Sequence, residues 1–182
     1  MTLKTVKDKQ SKSAKTLPSR VIGIDPGSLY CGYGIVERDS NNCFNYVASG
    51  SIEISKKKTL EKRLMEIYNA LLDVIQTYRP DVAAIEKVFF AKSVRSALSL
   101  GHVRGISLLA AVKEGLSIYE YSPLEIKMAV VGYGRAEKSQ IQAMVKNILK
   151  LDKSLSYDSA DALAVSICHL NTIRLKELLK EG

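Results

Sequence analysis

The chain has 182 residues, 46% of them hydrophobic and 25% charged, with a formal net charge of +8. That length suits one domain with a substantial core, and the composition excludes a disordered body. No apolar run reaches the roughly 18 residues of a membrane span, and the start lacks the apolar stretch of a secretory signal.

The charge is unevenly spread. Residues 1–20 hold Lys4, Lys7, Lys9, Lys12, Lys15 and Arg20 against Asp8 alone. The rest of the chain is only modestly basic, so any anion-binding face must come from local clustering. Residues 1–19 are polar and aperiodic and read as a disordered basic arm, either merely solvated or weakly phosphate-binding. Residues 20–182 read as a single domain. Cys31, Cys43 and Cys168 are odd in number, widely spaced and form no CxxC. They fit reduced thiols in a cytoplasmic protein rather than a zinc site or a disulfide framework.

Three strands are predicted first, over 20–25, 32–37 and 44–54. Gly, Ser and Asn punctuate the gaps, as in an antiparallel meander. The period then changes. Leu60, Leu64, Ile67, Leu71, Val74 and Tyr78 step by three or four, which predicts an amphipathic helix ending at Arg79-Pro80. A buried strand follows over 82–88, then a long helix over 94–113. Gly101 and Gly105 share a face of that helix. They allow close backbone approach, either inside the fold or at a dimer face. A strand over 116–121 leads to Ser122-Pro123-Leu124-Glu125, which has the residues of a capping box with proline at the first helical position. That helix runs to 131, where Gly132-Tyr133-Gly134 breaks it. Helices over 137–149 and 158–179 complete the chain. The order predicts an α/β fold: a mixed sheet built from a three-strand meander plus crossover strands, flanked by helices.

Four carboxylates sit in apolar settings. Asp25 ends the first strand in "VIGIDPGS", and Glu86 ends the fourth in "VAAIEKVFF". Asp158 and Asp161 open the last helix in "DSADALAVSI" and lie one turn apart on one face. Singly, each has an ordinary reading as a turn residue, a solvent-facing strand residue or a helix cap. Together they suggest a shared site, because a buried ionised carboxylate is costly unless it is paired or bound to metal. With no accompanying His/Cys set, the implied ion is hard and oxygen-liganded, and Mg²⁺ fits. Two such ions about 4 Å apart can clamp the attacking and leaving oxygens of a phosphodiester. His102 and His169 lie far apart. His169 follows Asp161 by two helical turns, which gives it at most a peripheral role.

These motifs resemble the RuvC family of bacterial Holliday-junction resolvases. The match rests on "GIDPGS…GYGIVE", "AIEKVFFAKSVRSALSLGHVRG", "YSPLEIKMAVVGYGRAEKSQI" and "DSADALAVSICH", in order over roughly residues 20–171. The resemblance implies an RNase H-like fold and a homodimer. It implies Mg²⁺-dependent cleavage of two opposed strands of a four-way DNA junction, with two ions per site and Mn²⁺ as a substitute. Its catalytic, metal-holding acids map onto Asp25, Glu86, Asp158 and Asp161. Its basic residues near the scissile phosphate map onto Lys127 and Lys138, and an aromatic after the second acid maps onto Phe89. Arg95 and Arg104 are secondary candidates for phosphate contact. The family also implies cooperation with a RuvA/RuvB branch-migration complex. Alternatives are an RNase H-like nuclease with another nucleic-acid substrate, a non-catalytic junction-binding module, and an actin-like ATPase prompted by "IDPGS". The last needs a second phosphate loop that the chain does not show.

Overall fold

A computed structural model describes residues 19–27, 29–53, 57–87 and 93–179. The basic arm over 1–18, Ser28 and Phe89 lie outside the described residues. Ser19, placed in the arm by its composition, is already tied to the fold. Its N–H donates to Asp81 at 2.8 Å, and its carbonyl accepts from the Arg38 N–H at 2.7 Å.

Strands β1 (Arg20–Pro26), β2 (Tyr30–Arg38) and β3 (Phe44–Glu53) form the predicted antiparallel meander. Helix α1 (Leu60–Tyr78) crosses to β4 (Val82–Glu86), and α2 (Val94–Lys113) crosses to β5 (Ser117–Tyr121). Both crossovers return parallel strands, giving the sheet order β3-β2-β1-β4-β5. Helices α3 (Pro123–Val131), α4 (Lys138–Ile148) and α5 (Tyr157–Leu178) follow. The capping box at α3 forms as expected: Ser122 Oγ accepts from the Glu125 N–H, and the Glu125 carboxylate accepts from the Ser122 N–H. Gly132, with φ of 87°, closes that helix in a conformation that favours glycine.

Strand alternation divides the core into two layers. Ile22, Ile24, Ile35, Ala83 and Ile85 point to α1 and α2, joining Ile67, Leu71 and Val103. Val21, Val36, Val82 and Ala84 point the other way, joining Ile126, Val145, Leu163 and Ile167 of the last three helices. Asp25 and Glu86 continue the second series by parity, so both carboxylates share the face that α5 covers. All three cysteines are free thiols. Among the described residues, no helix is long and apolar enough to cross a membrane.

Candidate active site

Strand register and a glycine floor bring the acids together. Strand β1 pairs parallel with β4, with Ile24 opposite Ile85. Asp25 and Glu86 therefore end adjacent strands about 4.8 Å apart, at the same edge of the sheet. Gly23 and Gly34 face each other across β1 and β2, and Gly32 is opposite Asp25. Helix α5 lies on these glycines. A Cβ on Gly23 would stand 2.1 Å from the Ala162 carbonyl oxygen, one on Gly34 2.6 Å from the Leu163 nitrogen, and one on Gly32 2.2 Å from the Asp158 carbonyl oxygen. The buried Ser166 hydroxyl anchors the helix by donating to the Gly34 carbonyl at 2.8 Å. The first turn of α5, with Asp158 and Asp161, is thereby set beside Asp25. The spacing of acids in the sequence names the carboxylates but not this floor. The only trace of it is the recurrence of glycine at alternate positions in "CGYG" and before "IDPG".

A cleft of about 280 Å³ opens at that edge, and Asp25, Glu86, Asp161, Lys127 and Lys138 line it. The sequence candidates Lys127 on α3 and Lys138 on α4 thus reach the acids across separate helices. Lys138 Nζ donates to Asp161 Oδ2 at 2.9 Å. Burial pushes the Asp25 carboxyl up from 3.8 to about 7, and the charges of Asp161 and Asp158 add to it while Lys138 opposes. Burial, then Asp25 and Asp161, raise Glu86 to about 8 against the pull of Lys138 and Lys127. The hydrogen bond from Lys138 to Asp161 raises the lysine in turn. Burial is the largest cause of both carboxyl shifts.

Among the described residues, no three acidic, His or Cys side chains form a ready-made metal shell. Like-charge repulsion opposes such a cluster, and Lys138 occupies the position beside Asp161. The donor set still fits a hard divalent cation. It is all carboxylate oxygen, and Asp25 and Glu86 are buried carboxyls whose ionised forms burial disfavours, a cost that a bound cation would offset.

Other candidates lie elsewhere. Arg104 is held by Glu120 of β5, its Nε donating at 3.1 Å, and so is not free for phosphate. Arg95 lines a separate groove with His102. His169 is fully buried, its Nδ1 2.8 Å from the Tyr121 hydroxyl and its ring 4.4 Å from that of Tyr119. Burial lowers its pKa to about 4. It belongs to the packing of α5 on β5, not to the cleft. Among the described residues, a Cβ on Gly101 or Gly105 would meet nothing within 4 Å, so packing against those residues does not account for the glycines.

An RNase H-like sheet with carboxylates gathered at one strand edge is the framework of a polynucleotide-cutting hydrolase. The family described as crossover junction endodeoxyribonuclease RuvC matches residues 21–169. The chain belongs to that family of nucleases. The protein of that name from Caldanaerobacter subterraneus subsp. tengcongensis is 48% identical over 164 residues, which span 90% of this chain and 99% of the relative. The one from Koribacter versatilis is 49% identical over 154 residues, 84% of this chain and 93% of the relative. Among solved structures, T. thermophilus RuvC in complex with Holliday junction substrate matches with a TM-score of 0.82 at 30% identity, covering 87% of this chain and 96% of that one.

Proposed function

We propose that this protein resolves four-way DNA junctions, hydrolysing phosphodiester bonds in two opposed strands and leaving 5′-phosphate and 3′-hydroxyl ends. The observation that carries the reading is the cleft where Asp25, Glu86 and Asp161 meet Lys127 and Lys138. Family membership, and a solved relative bound to a Holliday junction substrate, support the choice of DNA.

Asp25, Glu86, Asp158 and Asp161 are the residues that would hold Mg²⁺, two ions per site, with Mn²⁺ as a substitute. Bound there, the ions would supply Lewis-acid stabilisation of the reacting phosphate and a nucleophile at neutral pH. The chain's own residues do the positioning. The rigid ends of β1 and β4 hold two carboxylates, and α5 holds the other two. Lys127 and Lys138 receive the phosphate. Lys138 would exchange its carboxylate partner for a phosphate oxygen as substrate and cation enter. Phe89, three residues after Glu86 in the sequence, is proposed to contact the junction.

Two opposed cuts call for two sites, which a C2 dimer supplies. Helix α2 offers a seam for it. Val94, Leu98, Gly101, Gly105, Leu109 and Val112 recur every three or four residues, and all are exposed. The open glycines would let a second copy of α2 approach closely. A cytoplasmic setting and cooperation with a RuvA/RuvB complex belong to the same proposal.

The test is cleavage of a synthetic four-way junction by the full chain, with Mg²⁺ and with EDTA, by wild type and Asp25→Asn. Paired, ligatable nicks made only by wild type with Mg²⁺ are expected. Equal cutting by the variant would remove Asp25 from the site, and an inert wild type would refute the activity.

A further inference from the structure

Helix α5 carries two of the four acids, and most of its seat gives it no direction. It packs on the sheet through the glycine floor and through apolar side chains such as Leu163, Ile167 and Leu170. Apolar contacts exclude water but are non-directional, so they do not by themselves fix how a helix is turned about its axis. Polar contacts supply that direction. Ser166 donates to the Gly34 carbonyl of β2, and one turn further on His169 meets β5. The His169 ring is fully buried against Tyr119 and Tyr121, with ring centroids 4.4 and 5.8 Å away, and its Nδ1 is 2.8 Å from the Tyr121 hydroxyl. In the sheet order β3-β2-β1-β4-β5, these anchors lie on either side of β1 and β4, the strands that hold Asp25 and Glu86.

Stability does not explain the Tyr121–His169 pair. The buried His169 Nε2 has no hydrogen-bond partner among the described residues, and two apolar side chains of the same shape would hold the helix at least as well. Burial lowers His169 to about 4 and raises Tyr121 to about 12, so both are neutral near neutral pH and the contact adds no charge. What it adds is alignment. Tyr121 stands opposite Glu86 in the parallel ladder, and its carbonyl accepts from the Lys87 N–H at 2.8 Å. His169 follows Asp161 by eight residues, about 12 Å along one continuous helix. We propose that Tyr121 and His169 are positioning residues of the nuclease: their hydrogen bond fixes the rotation of α5, and with it the placement of Asp158 and Asp161 against Glu86. The proposal rests on the cation-assisted cleavage proposed above. A turn of α5 by about 10° swings a side-chain tip about 5–6 Å from the axis by about 1 Å. A misplacement of that size costs roughly 10²-fold in rate. Mg²⁺ is sensitive to it, because it demands near-ideal octahedral geometry, whereas Ca²⁺ accepts irregular ligand sets.

The full chain is titrated without DNA, with Mg²⁺ and separately with Ca²⁺, and the rise in Tm is read; junction cleavage in Mg²⁺ is measured alongside. Tyr121→Phe keeps the ring and removes the hydroxyl. It should need about tenfold more Mg²⁺ for a given rise in Tm, while its Ca²⁺ requirement stays within about twofold of wild type. Its kcat should fall roughly tenfold to a hundredfold with KM for the junction unchanged. His169→Asn, whose amide puts a polar atom at the Nδ1 position, should keep the wild-type Mg²⁺ requirement although the cavity it opens lowers the metal-free Tm. His169→Leu should resemble Tyr121→Phe. A wild-type Mg²⁺ requirement and kcat in Tyr121→Phe would overturn the proposal. So would equal shifts for Mg²⁺ and Ca²⁺, or a Mg²⁺ requirement that follows metal-free Tm across the variants, since those are the marks of a merely structural contact. A wild type that responds to Mg²⁺ but cuts no junction would overturn the junction-cleaving reading alone, and the metal titrations would still decide the positioning role. A wild type with no response to Mg²⁺ would overturn both.

Discussion

Replacing Asp25 with asparagine should abolish cleavage and yet stabilise the metal-free protein. The sign follows from linkage. A carboxyl whose pKa is raised on folding contributes stability that is fully present below its unfolded value and is lost as pH rises through the folded one. For Asp25 that window runs from 3.8 to about 7, and for Glu86 from 4.5 to about 8. At about 1.4 kcal/mol per unit, the Asp25 shift corresponds to an upper bound of about 4 kcal/mol at pH 8. Part of that is shared with Glu86, and local relaxation reduces the rest. Asparagine, neutral and of the same shape, should recover about 1–2 kcal/mol, or roughly 2–8 °C in Tm for a domain of this size. Thermal unfolding in EDTA at pH 8 and pH 5 is the assay. The variant should unfold above wild type at pH 8, and the gap should shrink at pH 5, where the wild-type carboxyl is protonated. Mg²⁺ should reverse the order, since a cation at a hundredfold excess over Kd adds about 2.7 kcal/mol to the state that binds it. A variant less stable than wild type in EDTA at pH 8, or a gap independent of pH, would refute the reasoning.

Other outcomes follow from the same geometry. Gly32→Ala should lower stability by about 1–3 kcal/mol through overpacking against the Asp158 backbone, and should cost cleavage as well, both readable by unfolding and junction assays. Lys138→Ala should lower Tm of the metal-free protein, because it leaves the largely buried Asp161 carboxylate unpaired, and should slow cleavage at saturating junction by about 10²–10³ if the lysine stabilises the reacting phosphate. Gly101→Leu should leave the fold intact, since a Cβ there meets nothing among the described residues, and should convert a dimer to monomer in light scattering. Arg104→Gln should leave the salt dependence of junction binding unchanged, because Glu120 already neutralises that arginine.

The local code was legible, and the long-range code much less so. The change of hydrophobic period at Leu60 and the Ser122–Glu125 box read out directly, because caps and periods act within a few residues. The acids were also legible, since a carboxylate at the end of an apolar strand conflicts with burial. What escaped depended on distant pairings. Gly32 meets the Asp158 backbone from 126 positions away, and no periodicity records that contact. Arg104 reads as a free cation until β5 lies beside α2 and supplies Glu120. The groove that Arg63 and Arg95 line exists only because two helices start at one edge of the sheet, which no local pattern records.

The alternation of β1 has a consequence for fidelity. Gly23 and Asp25 share one face of the strand, and Ile22 and Ile24 share the other. A slip of one residue in pairing would exchange the two sets. The isoleucines would then collide with the backbone of α5, and Asp25 would turn away from Glu86. A misregistered molecule therefore loses its seat for α5 and its carboxylate in the same error. For an enzyme that severs DNA, this makes correct assembly a condition of activity: a chain paired wrongly is also disarmed.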